Sequence, residues 1–136
     1  MISMIGMMML TGCKKVKPQK VEDSVIEGNW KVTRFEEDGE DQTYYFSGYT
    51  FNFKEGGTVT ATDGNNTVNG TWSVEEDNSN DDSSSDVDFI LSFPATNNFD
   101  ELSDDWDIEE QSNSKLELKD VSGGDGSIDR LTFEKV

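Results

Sequence analysis

From Glu27 onward, apolar residues recur with a period of two, and runs of Gly, Asn, Asp and Ser interrupt them every 8 to 12 residues. A period of two puts successive side chains on opposite faces of a strand, and turn signals at this spacing predict an all-β barrel or sandwich. Eight strands are predicted, over Trp30–Glu36, Tyr44–Lys54, Thr58–Thr62, Thr67–Glu75, Val87–Phe93, Trp106–Glu110, Lys115–Lys119 and Ile128–Lys135. In the second, Tyr49, Phe51 and Phe53 alternate with Thr50, Asn52 and Lys54; in the fourth, Val68, Gly70, Trp72 and Val74 share a face. Glu55-Gly56-Gly57 and Asp63-Gly64-Asn65-Asn66 supply tight turns, because Gly and the Asp-Gly pair accept the positive φ that hairpins require. One helical turn is predicted within Asn97–Ser103. With connections this short, neighbours in sequence are expected to be neighbours in the sheet, and an open meander would leave two edges bare. The expected fold class is all-β: an eight-stranded antiparallel up-and-down barrel or a strongly curved sheet.

Trp30, Phe51, Phe53, Trp72, Phe89, Phe93, Trp106 and Phe133 are all large. Pointing inward together they would fill the barrel and leave only a shallow site near its mouth; spread around the wall they would line a pocket. The pattern is compatible with both. Tyr44, Tyr45, Phe46 and Tyr49 put four aromatics within six residues, more than one strand face can bury. Some of them are expected at a rim, where aromatic rings contact sugars or lipids. Tyr44, Tyr45, Tyr49 and Phe51 are therefore the candidate ligand rim.

The N-terminal segment has a different character. Met1 to Leu10 is apolar apart from Ser3, and Thr11-Gly12-Cys13 follows. A short apolar run ending in small residues has the form of a secretory signal, and Leu10-Thr11-Gly12-Cys13 resembles the bacterial lipobox. The resemblance implies cleavage before Cys13 and acylation of that residue. The run is too short for a membrane span, which needs about 20 apolar residues. The expected organisation is a lipoprotein signal peptide over 1–12, a lipidated Cys13 with a basic linker over 13–25, and the barrel over 26–136. Lys14 to Lys20 is read as an extended stalk. In bacterial lipoproteins an Asp just after the Cys tends to retain the protein in the inner membrane. The Lys14 at that position implies an outer-membrane lipoprotein of the cell envelope, and the absence of an acidic export run favours the periplasmic face.

Gly28-Asn29-Trp30 at the start of the first strand matches the Gly-x-Trp of lipocalins. Gly48-Tyr49-Thr50-Phe51, Gly56-Gly57-Thr58-Val59, Gly70-Thr71-Trp72 and Leu131-Thr132-Phe133 extend the pattern. From Ile26 to Val136 the chain resembles the lipocalin-like domain of small bacterial lipoproteins. The resemblance implies a lipocalin-like barrel with a base signature of Gly28, Trp30 and an arginine laid over that Trp, Arg130 with Arg34 as competitor. It also implies that a small hydrophobic or amphipathic molecule is bound.

Charge narrows the chemistry. Lys and Arg number 11 against 29 Asp and Glu, a net charge of −18, which would repel a phosphate backbone and argues against nucleic-acid partners. All the acidic residues lie beyond Lys20, so a basic stalk carries an acidic body. The chain has no His and one Cys. Ser-His-Asp and Cys-His nucleophiles, imidazole-bound zinc and intrachain disulfides are thereby excluded. Asp105, Asp107 and Glu109 fall opposite Trp106 and Ile108, on the solvent face rather than in a cleft, and no enzyme activity or cofactor is expected. Asp77, Asp81, Asp82 and Asp86 in the polar stretch before Val87 supply hard oxygen atoms, but not at EF-hand spacing. Gly123-Gly124-Asp125-Gly126-Ser127-Ile128-Asp129 resembles a single calcium β-roll repeat with its Asp displaced, and no metal site is expected. The alternative to a small-ligand carrier is an acidic interaction module that docks a basic protein partner with salt-sensitive affinity.

Overall fold

A computed structural model describes residues 17–77, 86–121 and 127–136, apart from the side chains of Asp77 and Asp86. The alternating segments form strands β1 (Trp30–Glu37), β2 (Glu40–Asp41), β3 (Thr50–Lys54), β4 (Thr58–Thr62), β5 (Thr67–Asp77), β6 (Asp86–Ser92), β7 (Asp104–Gln111), β8 (Lys115–Val121) and β9 (Ile128–Lys135). From β3 to β9 each strand pairs antiparallel with the next. β9 returns to β1, in register from Trp30↔Lys135 to Glu36↔Arg130. The two-residue β2 folds back on the end of β1 and stays outside the ring, so eight strands close the barrel. Closure removes the unpaired edges that an open meander would expose.

The seam between β1 and β3 is narrow, with one register pair, Trp30↔Phe51. Beyond it the strands diverge, and the Thr43–Phe46 segment fills the gap as a 3₁₀ turn rather than the strand expected from Tyr44. Gly48 has a φ of +89°, which would break a continuous strand at this point. The turn is pinned to β1: the Phe35 N–H donates to Thr43 Oγ1 at 2.9 Å, and the Gln42 N–H to the Phe35 carbonyl at 2.7 Å. Phe46 then packs edge-on against Phe35, with centroids 5.5 Å apart.

A β-bulge in β1 between Val32 and Arg34 shifts the inward parity, so that Val32 and Phe35 are buried and Arg34 is exposed. A second bulge, in β7 between Ile108 and Glu110, leaves Glu109 and Glu110 both exposed. The expected helical turn forms at Phe99–Leu102.

The extended stalk is corrected at its C-terminal part. Pro18–Val25 is an α-helix, α1, with Pro18 in the first turn, where its missing N–H removes no helical bond. Val21, Ser24 and Val25, at i, i+3 and i+4, are its buried face. A helix of eight residues owes its stability to such packing rather than to propensity.

All eight large aromatics singled out in the sequence are buried. Phe51, Phe53, Phe93 and Phe133 meet mostly edge to face, and Phe89 lies stacked on Trp72 at 5.9 Å. With centroids 5.2 to 6.1 Å apart across the barrel, the rings fill the interior instead of lining a space within it.

Candidate functional site

The strand directions give the barrel two ends. α1 packs across the end where β1 starts, and the Thr43–Phe46 and Phe99–Leu102 turns fold over the other.

At the α1 end, Trp30 is buried and its Nε1–H donates to the Val25 carbonyl at 3.0 Å, joining the barrel floor to the last residue of the helix. The Ser24 hydroxyl donates to the Ser112 carbonyl at 3.2 Å. The cation over the Trp30 ring is Lys135, with Nζ 5.1 Å from the ring centroid, and not Arg130. Strand parity explains the correction. Lys135 pairs directly with Trp30 and shares the inward face of Phe133, whereas Arg130 pairs with Glu36 at the far end and lies on the alternate face. There its Nη1 donates to Glu109 Oε1 at 3.0 Å. The competitor Arg34, turned outward by the bulge, forks onto both oxygens of Glu36. Gly28 takes a φ of +81°, which favours glycine, and packs beside the Lys135 stem, where a Cβ would make an ordinary contact at 3.4 Å from Lys135 Cδ.

At the turn end, the four rim candidates separate. Tyr44 is 68% exposed, and its ring lies 4.8 Å from that of the half-buried Tyr45. Tyr49 is half-buried against Phe99 at 5.0 Å. Phe51 is fully buried and belongs to the core, because the parity that turns the half-buried Asn52 outward turns Phe51 and Phe53 inward. Only the tyrosines reach the rim.

Two carboxyl pairs lie at this same end. Glu37, at the end of β1, has its pKa pushed up to about 7 by burial first, then by a hydrogen bond shared with the Glu101 carboxyl and by the charges of Glu101, Asp129 and Asp38. Asp104, at the start of β7, is pushed up to about 6 by burial and by a bond shared with Asp120, against the lowering effect of the Asp105 N–H. A carboxyl whose pKa is raised by folding contributes stability that is complete below its unfolded value and is lost as pH rises through its folded value. Thermal unfolding followed by circular dichroism is therefore expected to show Tm falling by about 8 °C between pH 5 and pH 8, for roughly 2 kcal/mol in total after solvent screening. Glu37→Gln should flatten the upper part of that slope. A Tm that is constant or rises over this interval would contradict the pairing.

Of the calcium candidates, Asp81, Asp82 and the Gly123–Gly126 stretch lie outside the described residues, as does Cys13. Asp77 and Asp86 face each other as the outermost backbone pair of β5 and β6. Asp129 Oδ1 accepts the Asp38 N–H at 2.9 Å and so caps the β1–β2 turn. Among the described residues, no group of three or more Asp, Glu or Cys is arranged to hold a metal ion.

A groove of about 350 Å³ opens between α1 and the β3–β4 hairpin. Glu22 and Asp23 form one wall, Glu55 and Gly57 the other, with Ile26 and Trp72 between them. The groove leaves no local mark in the sequence, because it depends on α1. The available signal was Pro18 followed by apolar residues at helical spacing. The indole of Trp72 is held by a bond from its Nε1–H to the Lys54 carbonyl at 3.0 Å.

These features define a closed eight-stranded antiparallel barrel with a filled interior and one covering helix. The chain is similar in fold to a crystal structure of a DUF4847 family protein from Bacteroides vulgatus. The two are 22% identical, and the match covers 84% of this chain and 96% of that one with a TM-score of 0.50. That likeness agrees with a lipocalin-like barrel at the level of fold. No protein-family model matches the sequence, and no curated protein is similar to it.

Proposed function

We propose that the protein is a non-catalytic binding module of the bacterial cell envelope, held at the outer membrane by a lipidated Cys13, and that its acidic surface engages a basic protein partner. The filled interior carries this reading in preference to a carrier of small hydrophobic molecules, because the rings that would line a ligand cavity pack against one another. What the barrel offers instead is its outside, with 29 acidic residues against 11 basic ones over the whole chain. The lipobox-like Leu10-Thr11-Gly12-Cys13 supports the anchor. α1 starts five residues after Cys13, and such a chain reaches at most about 17 Å, which would keep the barrel close to the bilayer. The exposed Tyr44 beside Tyr45 favours one second reading, a shallow contact for an amphipathic molecule at the turn end.

Cross-linking of the full-length protein in its native membranes, at about 50 mM and about 500 mM salt, tests the main reading. A basic protein captured in fixed ratio at low salt and released at high salt is the expected result. Capture independent of salt, or a small molecule retained one-to-one in native mass spectra, would overturn it. Cys13→Ser is expected to shift the protein from the membrane to the soluble fraction.

A further inference from the structure

We propose that the groove between α1 and the β3–β4 hairpin receives a lysine or arginine side chain of the basic partner. This rests on the reading above and gives it a location. Three properties of the groove point to a cation on an apolar stem. Its walls carry the carboxylates of Glu22, Asp23 and Glu55 on two separate elements, so that a guest would meet negative charge from both sides. Among the described residues none of the three is in an ion pair; the only side-chain bond on that wall is from Gln19 Nε2 to Asp23 Oδ1, at 3.0 Å. Between the walls lie Ile26 and Trp72, which suit the methylenes of a long basic side chain.

The groove is also preorganised. Trp72 is fixed by its bond to the Lys54 carbonyl and by stacking on Phe89, and the Trp72 N–H donates to the Gly57 carbonyl at 2.9 Å. Gly56 and Gly57 take φ of +104° and +98°, and a Cβ at Gly56 would meet nothing within 4 Å. The hairpin wall is therefore low and open where a peptide backbone would cross it. A volume of about 350 Å³ lies at the small end of ligand sites, enough for one basic side chain and not for a bulky lipid.

The test uses the intact protein and an N-acetylated, amidated tetralysine peptide, with its fully ε-acetylated form as the uncharged control. Binding is followed by ¹⁵N chemical-shift titration. The expected result is saturable shifts at the Gly56 and Gly57 amides and the Trp72 indole N–H with tetralysine, and none with the acetylated peptide. The triple variant Glu22→Gln, Asp23→Asn, Glu55→Gln should then lose at least tenfold in affinity. A second triple variant, Glu40→Gln, Asp100→Asn, Asp105→Asn, removes the same charge from exposed positions toward the turn end and should lose less than twofold. Equal losses in the two variants, or shifts spread over the surface and absent from Gly56 and Gly57, would overturn the groove while leaving the acidic-module reading in place. Salt-independent capture in native membranes would remove that reading itself.

Discussion

Phe51→Ala is expected to destabilise the barrel by about 4 kcal/mol, a large part of the stability of a domain of this size. Phe51 is fully buried and its ring meets those of Phe133, Phe99 and Phe93 at 5.2, 5.9 and 6.1 Å. It also occupies the one register pair between β1 and β3. Truncation would leave a cavity where the barrel closes, with few neighbouring hydrogen bonds to hold the seam. Phe51→Leu, which keeps most of the volume, should lose about 1.5 kcal/mol. Equilibrium unfolding in urea would measure both. The experiment also decides between the two roles available to this residue. A side chain on an open ligand rim could be cut to Ala with a change of about 0.5 kcal/mol or less, so a loss that small would return Phe51 to the rim.

The strands were legible because alternation is a local property, and the apolar residues of β3, β4 and β5 alternate cleanly enough to fix which face turns inward. Local pattern failed where tertiary structure intervened. Reading Tyr44 to Lys54 as one strand carried the alternation through Ser47-Gly48, although that pair is a turn signal and Gly48 takes a left-handed φ. α1 was obscured by the lysines around it, since a basic, Pro-containing stretch has the composition of a linker. The bulges after Val32 and Ile108 left no clear mark, because a bulge is a mismatch between two strands and one sequence shows only one of them. The pattern offered Arg130 or Arg34 for the cation over Trp30; that Lys135 holds the position is visible only from the β1–β9 register, which pairs Lys135 with Trp30. The groove and the carboxyl pairs lay further out of reach: Glu22 and Glu55 are 33 positions apart, and Glu37 and Glu101 are 64 apart. Only the packing of α1 on the barrel and the barrel's own closure bring such residues together.

Gly70→Ala should be the most damaging single methyl group on this barrel, with an expected loss of about 3 kcal/mol. Glycine inside a strand ordinarily weakens it, so at an unstrained site the same change would be neutral or favourable by roughly 0.4–1 kcal/mol. The sign of the result is therefore informative. Gly70 is not in the left-handed region; the obstacle is space. A Cβ there would stand 2.5 Å from the Ser92 carbonyl oxygen and 2.6 and 2.9 Å from two atoms of the Phe93 ring. The first is backbone at the end of β6 and cannot swing aside. Phe93 crosses Gly70 on its way to Phe51 and Phe99, so the missing side chain in β5 is what admits the chain leaving β6 to the core. If that account is right, shrinking the neighbour should relieve part of the clash. In a double-mutant cycle, Gly70→Ala and Phe93→Leu should lose less together than the sum of the separate losses, with a coupling of about 1 kcal/mol. Strict additivity would place the whole clash on Ser92 and the backbone, and an unchanged or raised stability for Gly70→Ala alone would mean that β5 and β6 lie further apart here than the structure has them.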